Sequence, residues 1–194
     1  MNNREKQRKF LNYFKKGNLV LELGSGGGDF LGLCAEAGIK ATGVDSGSPE
    51  EICDKFDIIK EDVRKFLKKE KTGRYDGVYA RHIIEHFSTS DVENLLKDIS
   101  RVLKKGGKLI LIFPNMKNIH VAMYEFWKDP THVRPYTGEA ISTIAEKKGF
   151  KVIASGADAE SWDNSFFKRI ARNIRKTITG VPNEPPDYMM VLEK

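Results

Sequence analysis

The sequence predicts an α/β fold with a mostly parallel sheet, and three observations carry that expectation. Short apolar runs alternate with segments of helical spacing, at strand and helix lengths, along most of the chain. The most hydrophobic run, KLILIFP (108–114), lacks the in-out alternation of a half-exposed strand, as suits a central strand covered by helices on both faces. Four glycines crowd the five positions from Gly24 to Gly28, just after the first apolar run, where a parallel sheet opens its ligand crevice.

At 194 residues and 40% hydrophobic content, the chain has material for one ordinary core and is read as a single domain, 1–194. MNNREKQRKF lacks an apolar signal core, and no run approaches the roughly 18 apolar residues of a membrane helix. A soluble cytoplasmic protein with no transmembrane segment is therefore expected. Cys34 and Cys53 are isolated, with no C-x-x-C spacing, which argues against a disulfide or a cysteine-ligated zinc. The net charge of +6 favours anionic partners, although many soluble enzymes carry such a balance without one.

The elements follow in order. REKQRKFLNYFKK (4–16) predicts a helix with Phe10, Leu11 and Phe14 on one side, ended by Gly17. NLVLELG is a buried strand, DFLGLCAEAG a helix with a glycine stop, IKATGVD a second strand, and SPEEICDKF a short helix with Pro49 in its first turn. FDIIKED is a weaker strand, DVRKFLKKE a helix and YDGVYARH a strand. The long segment from Ser88 predicts a helix that buries Leu95, Leu96, Ile99, Val102 and Leu103 and stops at Gly106 and Gly107. After KLILIFP come a loop with a helix candidate, NMKNIHVAMYEFWKD, and then the proline-flanked PTHVRPY. A helix capped by Thr137 leads to the strand FKVIASG. An insertion at about 157–186 separates that strand from YMMVLEK, long for a compact fold.

The glycine loop excludes two common nucleotide sites. A G-x-G-x-x-G/A fingerprint fails because its last position is Asp29 or Leu31, and no Gly-Lys-Ser/Thr closes a P-loop. What remains is acid-x-G-x-G-x-G headed by Glu22. A carboxylate there repels a pyrophosphate but favours an ammonium or sulfonium group.

With these residues the chain resembles the class I S-adenosylmethionine-dependent methyltransferases over most of its length. The resemblance implies a Rossmann-like, seven-stranded, mostly parallel sheet with helices on both faces and an antiparallel last strand. It implies S-adenosylmethionine as cofactor. Glu22, Gly24, Ser25, Gly26 and Gly28 fit the family's first motif. Asp45, ending TGVD with Ser46 beside it, fits the acid that binds both ribose hydroxyls. Asp62 and Val63 fit the adenine position, though Asp62 serves equally as a helix cap.

HIIEH (82–86) matches the H-x-x-E-H pattern of zinc peptidases, but ligands at that spacing need consecutive helical turns and this segment continues a buried strand. The resemblance instead puts Arg81 and His82 beside the cofactor and makes His86 the leading base candidate, with His82 and His132 as alternatives. A loop-anchoring hydrogen bond is an equal reading of His86. A small-RNA ribose methyltransferase branch carries E-x-x-E-H and a distant histidine on a divalent metal. His82 replaces its first glutamate here. On that resemblance Glu85, His86 and His132 could assemble a metal site, and none is assigned.

WKDPTHVRPY (127–136) resembles a loop of bacterial methyltransferases acting on cell-surface polysaccharide and other small acceptors. It implies substrate contacts from His132, Arg134 and Tyr136, while the same residues could instead fasten the loop to the sheet. In SFFKRIARNIRKTI an apolar stripe opposes five cations, a pattern of a solvated helix, of an anionic acceptor site or of membrane contact through 166–178. The expected activity is methyl transfer to a small-molecule or glycan-type acceptor, on oxygen and with an anionic acceptor within range. The alternatives are a SAM-binding or nucleic-acid-binding protein without catalysis, or an RNA methyltransferase.

Overall fold

The computed structural model describes residues 3–159 and 184–194. One seven-stranded sheet runs through it: β1 (Leu19–Leu23), β2 (Lys40–Val44), β3 (Ile58–Ile59), β4 (Tyr75–Arg81), β5 (Leu103–Pro114), β6 (Lys151–Ala157) and β7 (Asp187–Glu193). Their spatial order is β3-β2-β1-β4-β5-β7-β6. The first five strands pair in parallel, whereas β7 runs antiparallel to both β5 and β6. The expected α/β sheet with an antiparallel last strand is observed. Strand order reverses between β1 and β4, so the ends of those two strands flank the crevice that binds ligands in such sheets.

The helices are α1 (Asn3–Gln7), α2 (Asp29–Glu36), α3 (Glu50–Lys55), α4 (Val63–Lys69), α5 (Thr89–Val102), α6 (Ile119–Met123) and α7 (Gly138–Lys147). Alternate strand residues serve opposite layers. Leu21, Leu23, Val78, Ala80, Leu109 and Leu111 face one cluster with Phe66 and Leu67 of α4 and Leu96 and Ile99 of α5. Val20, Tyr79, Ile110 and Ile112 face the other, against Phe30 and Leu33 of α2 and Phe10 and Phe14 of the N-terminal segment. Both faces of the central strands are thus covered, the physical cause of the missing alternation in KLILIFP.

Three elements depart from the sequence expectation. The N-terminal helix is α-helical only to Gln7 and tightens into a 3-10 helix over Arg8–Tyr13, which turns Phe10 onto Tyr79 at a centroid distance of 5.8 Å. The third strand shrinks to Ile58–Ile59, because Asp62 already caps α4 by accepting the backbone N–H groups of Arg64 and Lys65. The long helix stops at Val102 rather than at the Gly106–Gly107 pair, since Leu103 takes extended geometry and pairs with Tyr75 at the start of β4. Ser88 and Thr137 cap α5 and α7 as expected. The basic segment 166–178 and most of the 157–186 insertion lie outside the described residues.

Candidate functional site

The crevice is built from the turn after β1. Gly24 and Gly28 hold φ of +73° and +74°, where side chains other than glycine are strained. A Cβ on Gly24 would stand 2.5 Å from the end of the Ile83 side chain, and one on Gly28 2.5 Å from the Phe56 ring, so a side chain at either position would have to displace its neighbour. The loop is tied to the end of β2 at three points. Val44 C=O accepts from Gly24 N–H at 2.8 Å, Asp45 Oδ2 accepts from Gly26 N–H at 2.8 Å, and Ser48 Oγ donates to Gly26 C=O at 2.8 Å. Asp45 Oδ1 also accepts from Gly47 N–H. Ser46 is exposed beside it, and Ser48, which nothing in the sequence pattern marked, is the buried anchor.

Glu22 is buried on β1, and desolvation pushes its carboxyl well above the ordinary carboxylate range, against a hydrogen bond from the Leu31 backbone. Among the described residues its Oε2 and the buried Ser25 Oγ find no hydrogen-bond partner. These are polar atoms held at the floor of the glycine loop with capacity to spare.

The end of β4 supplies the second wall. His82 adopts φ of +53°, a left-handed conformation costing about 1–2 kcal/mol for a residue with a Cβ. Its Nδ1 lies 3.0 Å from Glu85 Oε1 and its Nε2 3.5 Å from Asp187 Oδ1. Burial disfavours the imidazolium, but hydrogen bonds to Asp187 and Glu85 outweigh it and raise the pKa to about 9. At neutral pH His82 is therefore a bridging cation without the free lone pair a base requires. Arg81 pairs with the same Asp187 at 3.4 Å. Asp187 opens β7, just after the insertion, where no motif flagged it.

HIIEH leaves the strand as a 3-10 turn over Ile84–His86, not as successive α-helical turns, which removes the zinc-peptidase geometry. The 127–136 loop folds onto it. Glu85 C=O accepts the N–H groups of Val133 and Arg134, at 2.8 and 3.2 Å. His86 Nδ1 meets Thr131 C=O at 3.2 Å, the loop-anchoring bond, and the His86 and His132 rings stand 4.9 Å apart edge to face. His132 Nδ1 lies 2.6 Å from Phe126 C=O. A cavity of about 370 Å³ opens beside them, lined by His82, Pro114, Val121, Phe126, His132 and Asp187 among others.

Arg134 and Tyr136 do not join that cavity. Tyr136 is buried in the core with its hydroxyl donating to Phe87 C=O at 2.8 Å, and the exposed Arg134 donates to Thr89 Oγ1 while lying over the Tyr136 ring. The expectation that Tyr136 lines an open acceptor pocket is thereby corrected, because its ring is consumed by packing.

The methyltransferase-domain family model matches residues 2–155. The chain belongs to the methyltransferase-domain family. Among solved structures, a SAM-dependent methyltransferase from Archaeoglobus fulgidus is 27% identical, with a TM-score of 0.81 over 98% of this chain and 92% of that one. A S-adenosylmethionine-dependent methyltransferase from Mesorhizobium loti shares the fold at 14% identity, TM-score 0.67, over 97% and 98% of the two chains. Phosphoethanolamine N-methyltransferase 2 of Haemonchus contortus, solved with S-adenosyl-L-methionine, shares it at 16% identity and TM-score 0.67, over 100% of this chain and 53% of that one. No match is found among curated protein sequences. This methyltransferase is a class I enzyme with S-adenosylmethionine as cofactor. Among its described residues no helix is long and apolar enough to cross a membrane.

Proposed function

We propose that this methyltransferase transfers the methyl group of S-adenosylmethionine to a hydroxyl of a small-molecule or glycan-type acceptor. Glu22, Gly24, Ser25, Gly26 and Gly28 are assigned to the amino-acid and sulfonium side of the cofactor, together with Arg81 and His82. Glu22 Oε2 and Ser25 Oγ, without a partner among the described residues, support this assignment, since both are buried at the positive-φ glycine loop. Asp45 is assigned to the ribose, with Ser46 flanking it. Asp62 Oδ1 is committed to capping α4, which leaves Oδ2, shared with Arg64, for the adenine edge beside Val63.

S-adenosylmethionine supplies a methyl group on a sulfonium that leaves as a neutral thioether. The protein's task is then chiefly placement. The observation that carries the acceptor assignment is the cavity at the ends of β4 and β5, whose size suits a small molecule or one sugar unit and whose rim carries His132. His86 stands beside it, and the acceptor's proton is taken at this histidine pair; His82, already a cation, orients Glu85 and Asp187 instead.

The test combines calorimetry with S-adenosylhomocysteine and transfer of labelled methyl to pools of small hydroxylated metabolites and glycans. His86→Ala should slow transfer at least 10-fold while product affinity stays within about 3-fold, the range expected for loss of acid–base help. Labelling that appears only on amines or on nucleic acid would overturn the acceptor reading.

A further inference from the structure

We infer that the lysine-lined basin at the N-terminal ends of β1 and β4 is a second ligand site, which binds a small molecule bearing adjacent phosphate groups. A cavity of about 260 Å³ opens there, lined by Lys15, Asn18, Asp76, Lys104, Lys105 and Lys108 among others. Four lysines stand against one carboxylate in that lining, a surplus of three positive charges around a space for one small anion. Asn18 precedes β1 and Gly24 follows it, so the basin and the glycine loop lie about 20 Å apart at roughly 3.3 Å per strand residue. A small ligand in the basin therefore touches neither the cofactor crevice nor the acceptor cavity, and its binding does not depend on the acceptor reading.

The fold holds these lysines together and satisfies only some of them. The turn that carries Lys104 and Lys105 is pinned from behind by Lys194, whose backbone C=O accepts from Gly106 N–H at 2.9 Å and whose N–H donates to Gly107 C=O at 3.0 Å. Asp76 is fully used: Oδ2 accepts the Leu19 N–H at 2.8 Å and Oδ1 pairs with Lys104 Nζ at 2.7 Å. Lys108 pairs with Glu193 at 3.1 Å. Lys15 and Lys105 are exposed and, among the described residues, pair with no carboxylate. Asn18 Oδ1 accepts the Lys15 N–H at 2.8 Å, which fixes the amide and leaves Nδ2 with two hydrogens to give. Two free ammonium groups, two paired ones and an oriented amide make up the donor set.

That set selects the ligand. Lysine binds phosphate as a point charge, and a surplus of three matches a diphosphate better than a single carboxylate. A membrane surface is disfavoured, because none of the large exposed hydrophobic residues lines this cavity and interfacial binding needs an apolar face to bury. The half-buried Tyr13 also lines the basin, beside the lysines, where a ring can carry the base of a nucleotide.

The full chain would be titrated by calorimetry with inorganic pyrophosphate and with ADP, free of magnesium, after the cofactor crevice has been saturated with S-adenosylhomocysteine so that adenine cannot enter it. Saturable binding of both at one site per chain is expected, weakening as sodium chloride is raised. A Lys15→Glu, Lys105→Glu double variant should bind pyrophosphate at least 10-fold more weakly, with S-adenosylhomocysteine affinity unchanged as the check on folding. ADP binding tighter than pyrophosphate by a margin that Tyr13→Ala abolishes would identify a nucleotide as the ligand; equal affinities would leave the diphosphate as the whole determinant. No saturable binding of either probe, binding that the double variant retains, or equal binding of inorganic sulfate would overturn the site. An RNA oligonucleotide that binds where both small probes fail would overturn it as well, in favour of a polymer surface.

Discussion

Asp45 Oδ2 accepts the Gly26 N–H at 2.8 Å, so the carboxylate assigned to the ribose also holds the glycine loop in shape. Its second oxygen is engaged by Gly47 N–H at 2.7 Å, which fixes the carboxylate plane. Asp45→Ala removes both the loop tie and the proposed ribose contact. Hydrogen bonds to a charged group are worth about 1.5–3 kcal/mol, so S-adenosylhomocysteine affinity should fall about 10- to 100-fold by calorimetry. An affinity unchanged in this variant would remove Asp45 from the cofactor site.

Two neighbouring glycines should respond differently to the same substitution. Gly28→Ala places a Cβ against the Phe56 ring at φ +74°, and the strain should lower stability by about 1–3 kcal/mol in urea unfolding. Gly27 is outside the left-handed region and its Cβ would meet nothing within 4 Å, so Gly27→Ala should stay within about 0.5 kcal/mol of wild type. Equal costs at both positions would contradict the loop geometry.

Glu22 makes the stability of the cofactor-free protein depend on pH. Its folded pKa is raised above the ordinary 4.5 by desolvation, so the unfolded chain releases this proton first as pH rises. The folded state then binds more protons than the unfolded one. The contribution of Glu22 is accordingly fully present below about pH 4.5 and is lost as pH rises toward the folded value. Glu22→Gln keeps the shape of the neutral acid and cannot ionise. The stability of Glu22→Gln relative to wild type should therefore increase from pH 5 upward, seen as diverging unfolding midpoints; parallel curves would mean that Glu22 is ionised in the fold.

What could be read from the sequence follows from which constraints are local. The glycine loop was legible because positive φ demands glycine regardless of distant contacts, and the caps at Ser88 and Thr137 because capping is settled within one helical turn. The sheet was legible through Leu21, Leu23, Leu109 and Leu111, whose burial leaves a pattern in the chain itself. Ser48, Ile83, Phe56 and Asp187 were missed for the opposite reason: each acts on the site only through a partner that the tertiary fold brings to it. The meaning of HIIEH was hidden in the same way. His86 meets a loop 45 residues downstream, and only that contact turns an apparent helix motif into an anchor for the 127–136 loop.

Tyr136 gives the sharpest test of loop anchoring against acceptor contact. Its ring is 4% exposed, packs in the core and donates to Phe87 C=O at 2.8 Å, the carbonyl just before the cap of α5. Tyr136→Phe keeps the ring and removes only the donor, leaving the carbonyl without that bond. A net loss of about 1 kcal/mol is expected, up to about 3 if the carbonyl stays dry, read as a lowered midpoint in thermal or urea unfolding. An unchanged midpoint together with a raised KM for the acceptor would return Tyr136 to the acceptor pocket and reverse the correction drawn from its burial.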